Sequence, residues 1–298
     1  MIFNLYKQRG ETPLERIERF VKKNPNLKNE KMTYLGRLDP LAEGVLLVGS
    51  GEDTTQSKRE EFFGLDKEYD FVSIFGFATD TYDILGKVVK INKLALRQVY
   101  DENSSIIFEN EVRKVAMIYE GEREQKYPEY SSKNIAAWKK HRPFEQPGYF
   151  STEKSPHSPV SRGPRVALKE DASSSSPLLD LGEGVGGEVF SKKITVYKMQ
   201  FHKLETLNSK ELFGRLLMDI SKVKGDFRQN EILILWKEII LKYPERQIFL
   251  AKFSAHVSSG TYIRGLVNDM GNTLGCGATT LSIKRTRVGD YIIKDSIK

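Results

Sequence analysis

Asp39 lies in the segment Gly36-Arg37-Leu38-Asp39-Pro40-Leu41-Ala42-Glu43-Gly44-Val45-Leu46-Leu47-Val48, a carboxylate set between glycines and followed by an apolar run with the character of a buried strand. Pro40 biases Asp39 away from helical dihedrals, so the carboxylate is expected to stand on a fixed loop at the edge of the core, a mounting that suits a nucleophile. The same pair also suits a helix N-cap with proline at the first helical position, and this segment alone does not separate the two readings. A second segment, Ser259-Gly260-Thr261-Tyr262-Ile263-Arg264-Gly265-Leu266-Val267-Asn268-Asp269-Met270, leaves a strand through a Ser/Gly turn and enters a helix. There Ile263, Leu266, Val267 and Met270 make an inward stripe, and Arg264 projects from another side of the first turn, toward solvent or toward a carboxylate. A third run, Ile283-Lys284-Arg285-Thr286-Arg287-Val288-Gly289, sets basic residues between apolar ones, as a stretch tracking a phosphate backbone would, although such a run is a weak signal alone.

These groups need elements to position them. Thr12-Pro13-Leu14-Glu15 reads as a capping box with proline in the first turn, and Leu14, Ile17, Phe20 and Val21 then line one helical face. From Lys67 to Gly76 the residues alternate, with Tyr69, Phe71, Ser73 and Phe75 on one side, as a strand requires. A polar connection follows over Ala78-Thr79-Asp80-Thr81-Tyr82-Asp83. Helices are expected near 93–102, 108–120, 209–223 and 229–242, and strands over Ile194–Phe201 and Ile248–Val257. Their irregular interleaving lacks βαβ alternation, which gives an α+β class with a largely antiparallel central sheet flanked by helices.

Between Phe144 and Ser191 the composition turns to Pro, Ser and Gly, including Ser173-Ser174-Ser175-Ser176-Pro177, and no hydrophobic period survives. This predicts a flexible low-complexity insertion (144–191) within one domain spanning 1–298. Gly182-x-Gly184-x-x-Gly187 inside it fits a dinucleotide fingerprint only formally, because no suitable strand precedes it and no helix follows. Asn103-Ser104-Ser105 matches a glycosylation sequon, but no secretory signal accompanies it.

Composition narrows the class. There are 47 Lys and Arg against 40 Asp and Glu, a formal charge of +7 and a pI near 9.2, which favours a polyanionic partner or simply a well-solvated surface. A lone Cys276 excludes an internal disulfide, and His141, His157, His202 and His256 have no metal-ligand spacing, so no metal is expected. Met1 to Gly10 lacks a signal-peptide core, and no apolar run approaches the roughly 20 residues that span a bilayer. A cytoplasmic protein is expected, without membrane association.

Taken together, the segments resemble the TruB family of pseudouridine synthases. Gly36 to Leu46 fits the family's Gly-x-Leu-Asp-Pro-x-Ala-x-Gly-x-Leu motif, and Lys67-Glu68-Tyr69 with Gly76-Phe77-Ala78-Thr79-Asp80-Thr81-Tyr82-Asp83-Ile84-Leu85-Gly86 fits its next strand and turn. Pro128-Glu129-Tyr130-Ser131-Ser132-Lys133, Gly260 to Arg264, Leu274-Gly275-Cys276-Gly277-Ala278 and Arg285 to Gly289 follow in the family's order.

The resemblance implies a pseudouridine synthase fold and isomerisation of a uridine in the T-arm of tRNA, uridine 55, by a cofactor-free monomer. It implies Asp39 as nucleophile, Arg264 as the cation that keeps Asp39 ionised, and Tyr69 stacked on the base and removing the C5 proton. The uridine would be flipped into a pocket lined by Tyr262 and Ile283, with Tyr130, Lys133, Arg285 and Arg287 meeting the splayed loop and its phosphates. Bacterial members usually carry His five positions before the aspartate; Tyr34 stands there, so the contact that the His makes to the RNA is expected to be altered or replaced by a stacking phenol. Lys298 follows soon after the last motif, so no C-terminal PUA domain is expected. Arg37-Leu38-Asp39 also echoes the ribosomal large-subunit branch, which would make rRNA the substrate, and a tRNA-folding chaperone independent of catalysis is a reading from another class.

Overall fold

A computed structural model describes residues 1–92, 102–128 and 191–298. Its strands in chain order are β1 (Ile2–Lys7), β2 (Met32–Tyr34), β3 (Ala42–Ser50), β4 (Lys67–Phe75), β5 (Phe77–Thr79), β6 (Val88–Ile91), β7 (Gly121–Lys126), β8 (Ser191–Asn208), β9 (Gln247–Val257), β10 (Ala278–Val288) and β11 (Tyr291–Ile292). Nine of them form one sheet in the order β1-β3-β10-β4-β9-β8-β7, with β2 on β3 and β11 on β10; β5 and β6 pair separately. The sheet is antiparallel except where β10 runs parallel to β3, setting Ile283 opposite Ala42 and Arg285 opposite Gly44. That pairing brings the third sequence motif beside the first.

The helices are α1 (Pro13–Lys23), α2 (Gln56–Gly64), α3 (Glu102–Ile118), α4 (Ser209–Ile220), α5 (Gln229–Lys242) and α6 (Ile263–Thr273). Helix α1 begins at the expected capping box: the Glu15 amide donates to Thr12 Oγ1, and the Thr12 amide donates to the Glu15 carboxylate at 2.7 Å. It satisfies donors that no helical carbonyl reaches. One layer of core joins Ile17 and Phe20 of α1, Val112, Val115 and Ala116 of α3, and Ile263, Leu266, Val267 and Met270 of α6 to Tyr69, Phe71 and Phe75 of β4. A second layer packs Leu212 and Leu216 of α4 and Trp236 of α5 against Ile74, Phe77 and Leu250. Strand β3 is apolar on both faces because it is covered on both: Leu46 and Val48 enter the first layer, while Val45 and Leu47 meet Leu35, Phe62 and Val288.

The expected elements at 209–223 and 229–242 appear as α4 and α5, and Ile248–Val257 lies within β9. The strand expected over Ile194–Phe201 extends to 191–208, since Ser191 to Val196 pair with β7 and Val196 to Asn208 pair with β9. The helix expected at 108–120 starts earlier, at Glu102, and the sequon residues Asn103 to Ser105 lie in its first turns. The helix expected near 93–102 falls almost wholly outside the described residues, as does the 144–191 insertion except Ser191, which opens β8. Among the described residues no helix is long and apolar enough to cross a membrane.

Gly44 is one of the tightest points of this architecture. It pairs with Lys7 on one side and Arg285 on the other, at φ +109°, and a Cβ there would stand 2.2 Å from the Arg285 carbonyl oxygen. Gly44→Ala therefore is expected to lower stability by more than about 1 kcal/mol, read as a lower urea midpoint with an unchanged slope.

Candidate active site

The loop between β2 and β3 carries Asp39. Its carbonyl accepts from the Ala42 amide at 3.0 Å, and the chain then enters β3, so Asp39 caps no helix. Two buried cations grip this loop by its carbonyls. Lys7 Nζ donates to Pro40 O at 3.1 Å, Ala42 O at 2.6 Å and Gln8 O at 3.2 Å. Arg285 donates from Nε to Val45 O at 2.8 Å, from Nη1 to Arg37 O at 3.1 Å and from Nη2 to Gly36 O at 3.4 Å. Lys7 is fully buried, and burial pushes its pKa down to about 7 against the pull of Glu11 and Asp39.

Arg264, in the first turn of α6, closes the loop from above. Its Nε donates to Asp39 Oδ2 at 2.8 Å and its Nη1 to the Thr81 carbonyl at 2.6 Å, with Asp83 Oδ2 3.8 Å from Nε. The solvated alternative for Arg264 is thereby removed: only 5% of its side chain is exposed, against 31% for Asp39. Burial acts to raise the Asp39 pKa, but Arg264, Arg37 and Lys7 outweigh it and hold the carboxyl below its ordinary value. Asp83 goes the other way, raised by burial and by the charge of Asp39 beyond what Arg264 returns. One guanidinium thus serves two carboxylates whose affinities for a proton are driven apart.

Tyr69 is buried in β4, in register with Arg285 of β10 and Ala255 of β9. Ile283 is buried opposite Ala42 and Phe71, and both Tyr69 and Ile283 belong to the core layer that includes Leu38 and Ala42. Tyr262 immediately precedes α6; its carbonyl and amide are both bonded to the Gln125 side-chain amide, at 2.9 and 2.8 Å. Its ring meets Tyr127 edge-on at 5.9 Å and lies 5.8 Å from the Arg264 guanidinium carbon. Tyr34 is half-buried on β2 and packs on the first core layer. Tyr130 and Lys133 lie outside the described residues.

Two expected phosphate contacts are placed otherwise. Arg285 is 3% exposed and directs its donors to the carbonyls just named, because its strand position points it under the Asp39 loop. Arg287 binds Asp66 Oδ2 at 2.7 Å and Glu68 Oε1 at 2.9 Å, beside His256, and its charge is answered within the protein. Lys7 was not singled out by sequence reasoning. The signal for it was a lysine at an inward position of strand β1, two residues after fully buried Leu5.

An ionised carboxylate, fixed by a buried guanidinium and still partly open, is equipped to attack an electrophilic carbon. The chain is similar in sequence to known proteins. A family model described as TruB family pseudouridylate synthase (N terminal domain) matches residues 23–146. The tRNA pseudouridine synthase B of Clostridium tetani is 28% identical over 298 residues, covering 99% of this chain and 70% of that protein. The protein of the same name from Thermosipho melanesiensis is 26% identical over 297 residues, covering 99% and 66%. The chain therefore spans about two thirds of the length of these relatives. Among solved structures, a chain of a Cbf5-Nop10-Gar1 complex aligns with a TM-score of 0.45 and 18% identity over 98% of this chain and 49% of its own, too loose a likeness to support a conclusion.

The stability contributed by the depressed Asp39 pKa is present above the ordinary value of 3.8 and is lost as pH falls through the folded value. Arg264→Met reverses that sign, since burial and the neighbouring Asp83 then act on Asp39 with their chief opposing charge removed. The variant is expected to lose about 3–5 kcal/mol at neutral pH and to regain part of this as pH is lowered. Urea titrations at several pH values, with carboxyl-carbon NMR of Asp39, check both.

Proposed function

We propose that the chain is a member of the TruB family of pseudouridine synthases, which it resembles in sequence, and that it isomerises uridine 55 in the T-arm of tRNA, with Asp39 as nucleophile. The observation that carries the reading is the 2.8 Å contact between the Asp39 carboxylate and buried Arg264. Forming pseudouridine means breaking the N1–C1′ glycosidic bond, turning the uracil and rejoining it through C5. A carboxylate that is ionised before substrate arrives is suited to engaging the ribose side of that bond. Arg264 and the loop-gripping pair Lys7 and Arg285 limit its excursions, which favours a reactive geometry.

In this reading Tyr69 and Ile283, which share a core cluster with Leu38 and Ala42 of the Asp39 loop, are assigned as one aromatic and one aliphatic wall, and Tyr262 as a further aromatic edge. A flipped uracil would stack on the first and be enclosed by the other two. Tyr69 is assigned the C5 proton after the bond is remade. Tyr34 and exposed Arg37, flanking the loop, are assigned to the RNA, with Tyr130 and Lys133 as further contacts; the formal charge of +7 favours that polyanion. The protein acts as a cytoplasmic monomer in this reading, as one catalytic domain over 1–298 with 144–191 as an insertion.

The test is site-resolved pseudouridine mapping on unmodified tRNA and rRNA, with wild-type protein and Asp39→Asn. The wild type is expected to modify the T-loop uridine, and Asp39→Asn to lose turnover by about 10⁴-fold or more while binding tRNA with similar affinity. Modification of rRNA alone would move the substrate. Binding without modification by the wild type would leave an RNA chaperone.

A further inference from the structure

Arg264 takes two of its three acidic or carbonyl partners from one short turn, so whatever fixes that turn fixes Arg264. The turn joins β5 to β6, and it gives Thr81 O and the Asp83 carboxylate to the guanidinium. On its inner side it is tied to β10: the Thr280 amide donates to Tyr82 O at 3.0 Å, and the Ile84 amide donates to Thr280 O at 3.2 Å. On its outer side it is tied to the start of α5. Arg228 Nη1 donates to Asp80 Oδ2 at 2.8 Å and Nη2 to Asp80 Oδ1 at 3.4 Å, while Lys87 Nζ meets Glu231 Oε1 at 2.6 Å. Asp80 Oδ1 in turn accepts the Lys87 amide at 2.8 Å and closes the turn on itself.

Strain marks Arg228 and the turn that it holds. Tyr82 has φ +65° and Arg228, immediately before α5, has φ +64°, values that side chains bearing a Cβ adopt reluctantly. Strained backbone of this kind persists where surrounding interactions hold it. Gly86 leaves no slack either, because a Cβ there would stand 2.3 Å from Thr81 Oγ1 and 2.6 Å from Asp80 Oδ1. Arg228 is 30% exposed and Asp80 14%, so the two-pronged contact is shielded enough to orient the turn.

We propose that Arg228 is a positioning residue for uridine isomerisation, acting through Asp80 on the turn that holds Arg264 against Asp39. This rests on the function proposed above. The informative variant is Arg228→Gly, since glycine accepts the left-handed backbone and the whole side chain, guanidinium included, is removed without added backbone strain. Steady-state pseudouridine formation on unmodified tRNA is expected to show kcat reduced about tenfold with KM within about twofold, because a small displacement of the reacting group acts on the chemical step. The melting temperature should stay level or rise. Arg228→Lys, which keeps a cation near Asp80, is expected to recover part of kcat.

Unchanged kcat in Arg228→Gly beside an active wild type would overturn the inference alone. So would a rise in KM at constant kcat, which would make Arg228 a direct RNA contact, or a kcat loss accompanied by a lower melting temperature. No product from the wild type on tRNA or rRNA would overturn the functional reading and this inference with it.

Discussion

A single buried guanidinium between two carboxylates is the constraint around which the site is built. Burial alone would push protons onto both Asp39 and Asp83, and Arg264 is the positive charge that the two share. The geometry resolves the competition unequally: Asp39 has the direct 2.8 Å contact together with Arg37 and Lys7, while Asp83 stands 3.8 Å away and is held by Thr81 Oγ1 at 2.7 Å and the Leu85 amide at 3.0 Å. The carboxylate with the open surface keeps its charge, and the enclosed one relinquishes it more readily. Had the distances been exchanged, the more open carboxylate would be the weaker acid.

That electrostatic arrangement would be of little use on a mobile loop. Lys7 and Arg285 prevent this by taking carbonyls of Gly36, Arg37, Pro40, Ala42 and Val45 as hydrogen-bond acceptors, which orients the peptide groups on both sides of Asp39. Loop carbonyls are ordinarily satisfied by water, and replacing water with fixed cations turns a flexible connection into a rigid mount. Gly44 permits the approach, because any side chain there would meet the Arg285 backbone.

Much of this was legible in the sequence wherever local chemistry decides. The capping box at Thr12 and Glu15, the alternation in β4 and the inward stripe of α6 each follow from neighbours a few positions apart, and each is found where spacing placed it. Asp39 and Arg264 were both singled out from local pattern, although nothing local joined them across 225 positions. What local pattern leaves open shares a cause. Arg285, Arg287 and Lys7 carry charges on strands, and charge alone reads as surface; whether such a residue turns toward water or toward a row of carbonyls depends on which strand lies next to it. The parallel register of β10 on β3 decides it for Arg285, and no periodicity encodes that register.

The same register has a consequence for synthesis. β10 lies between β3 and β4 in the sheet, yet it is made long after both, and the bond from Arg285 to Val45 spans 240 positions. On a ribosome, β3 and β4 must therefore wait with unpaired edges until almost all of the described chain has emerged. Closing so long a contour makes docking of β10 a slow step in maturation. It is also the event that brings Arg285 onto the carbonyls of Gly36 and Arg37. Chaperone protection of those two edges, rather than of any helix, is what the topology demands during that interval.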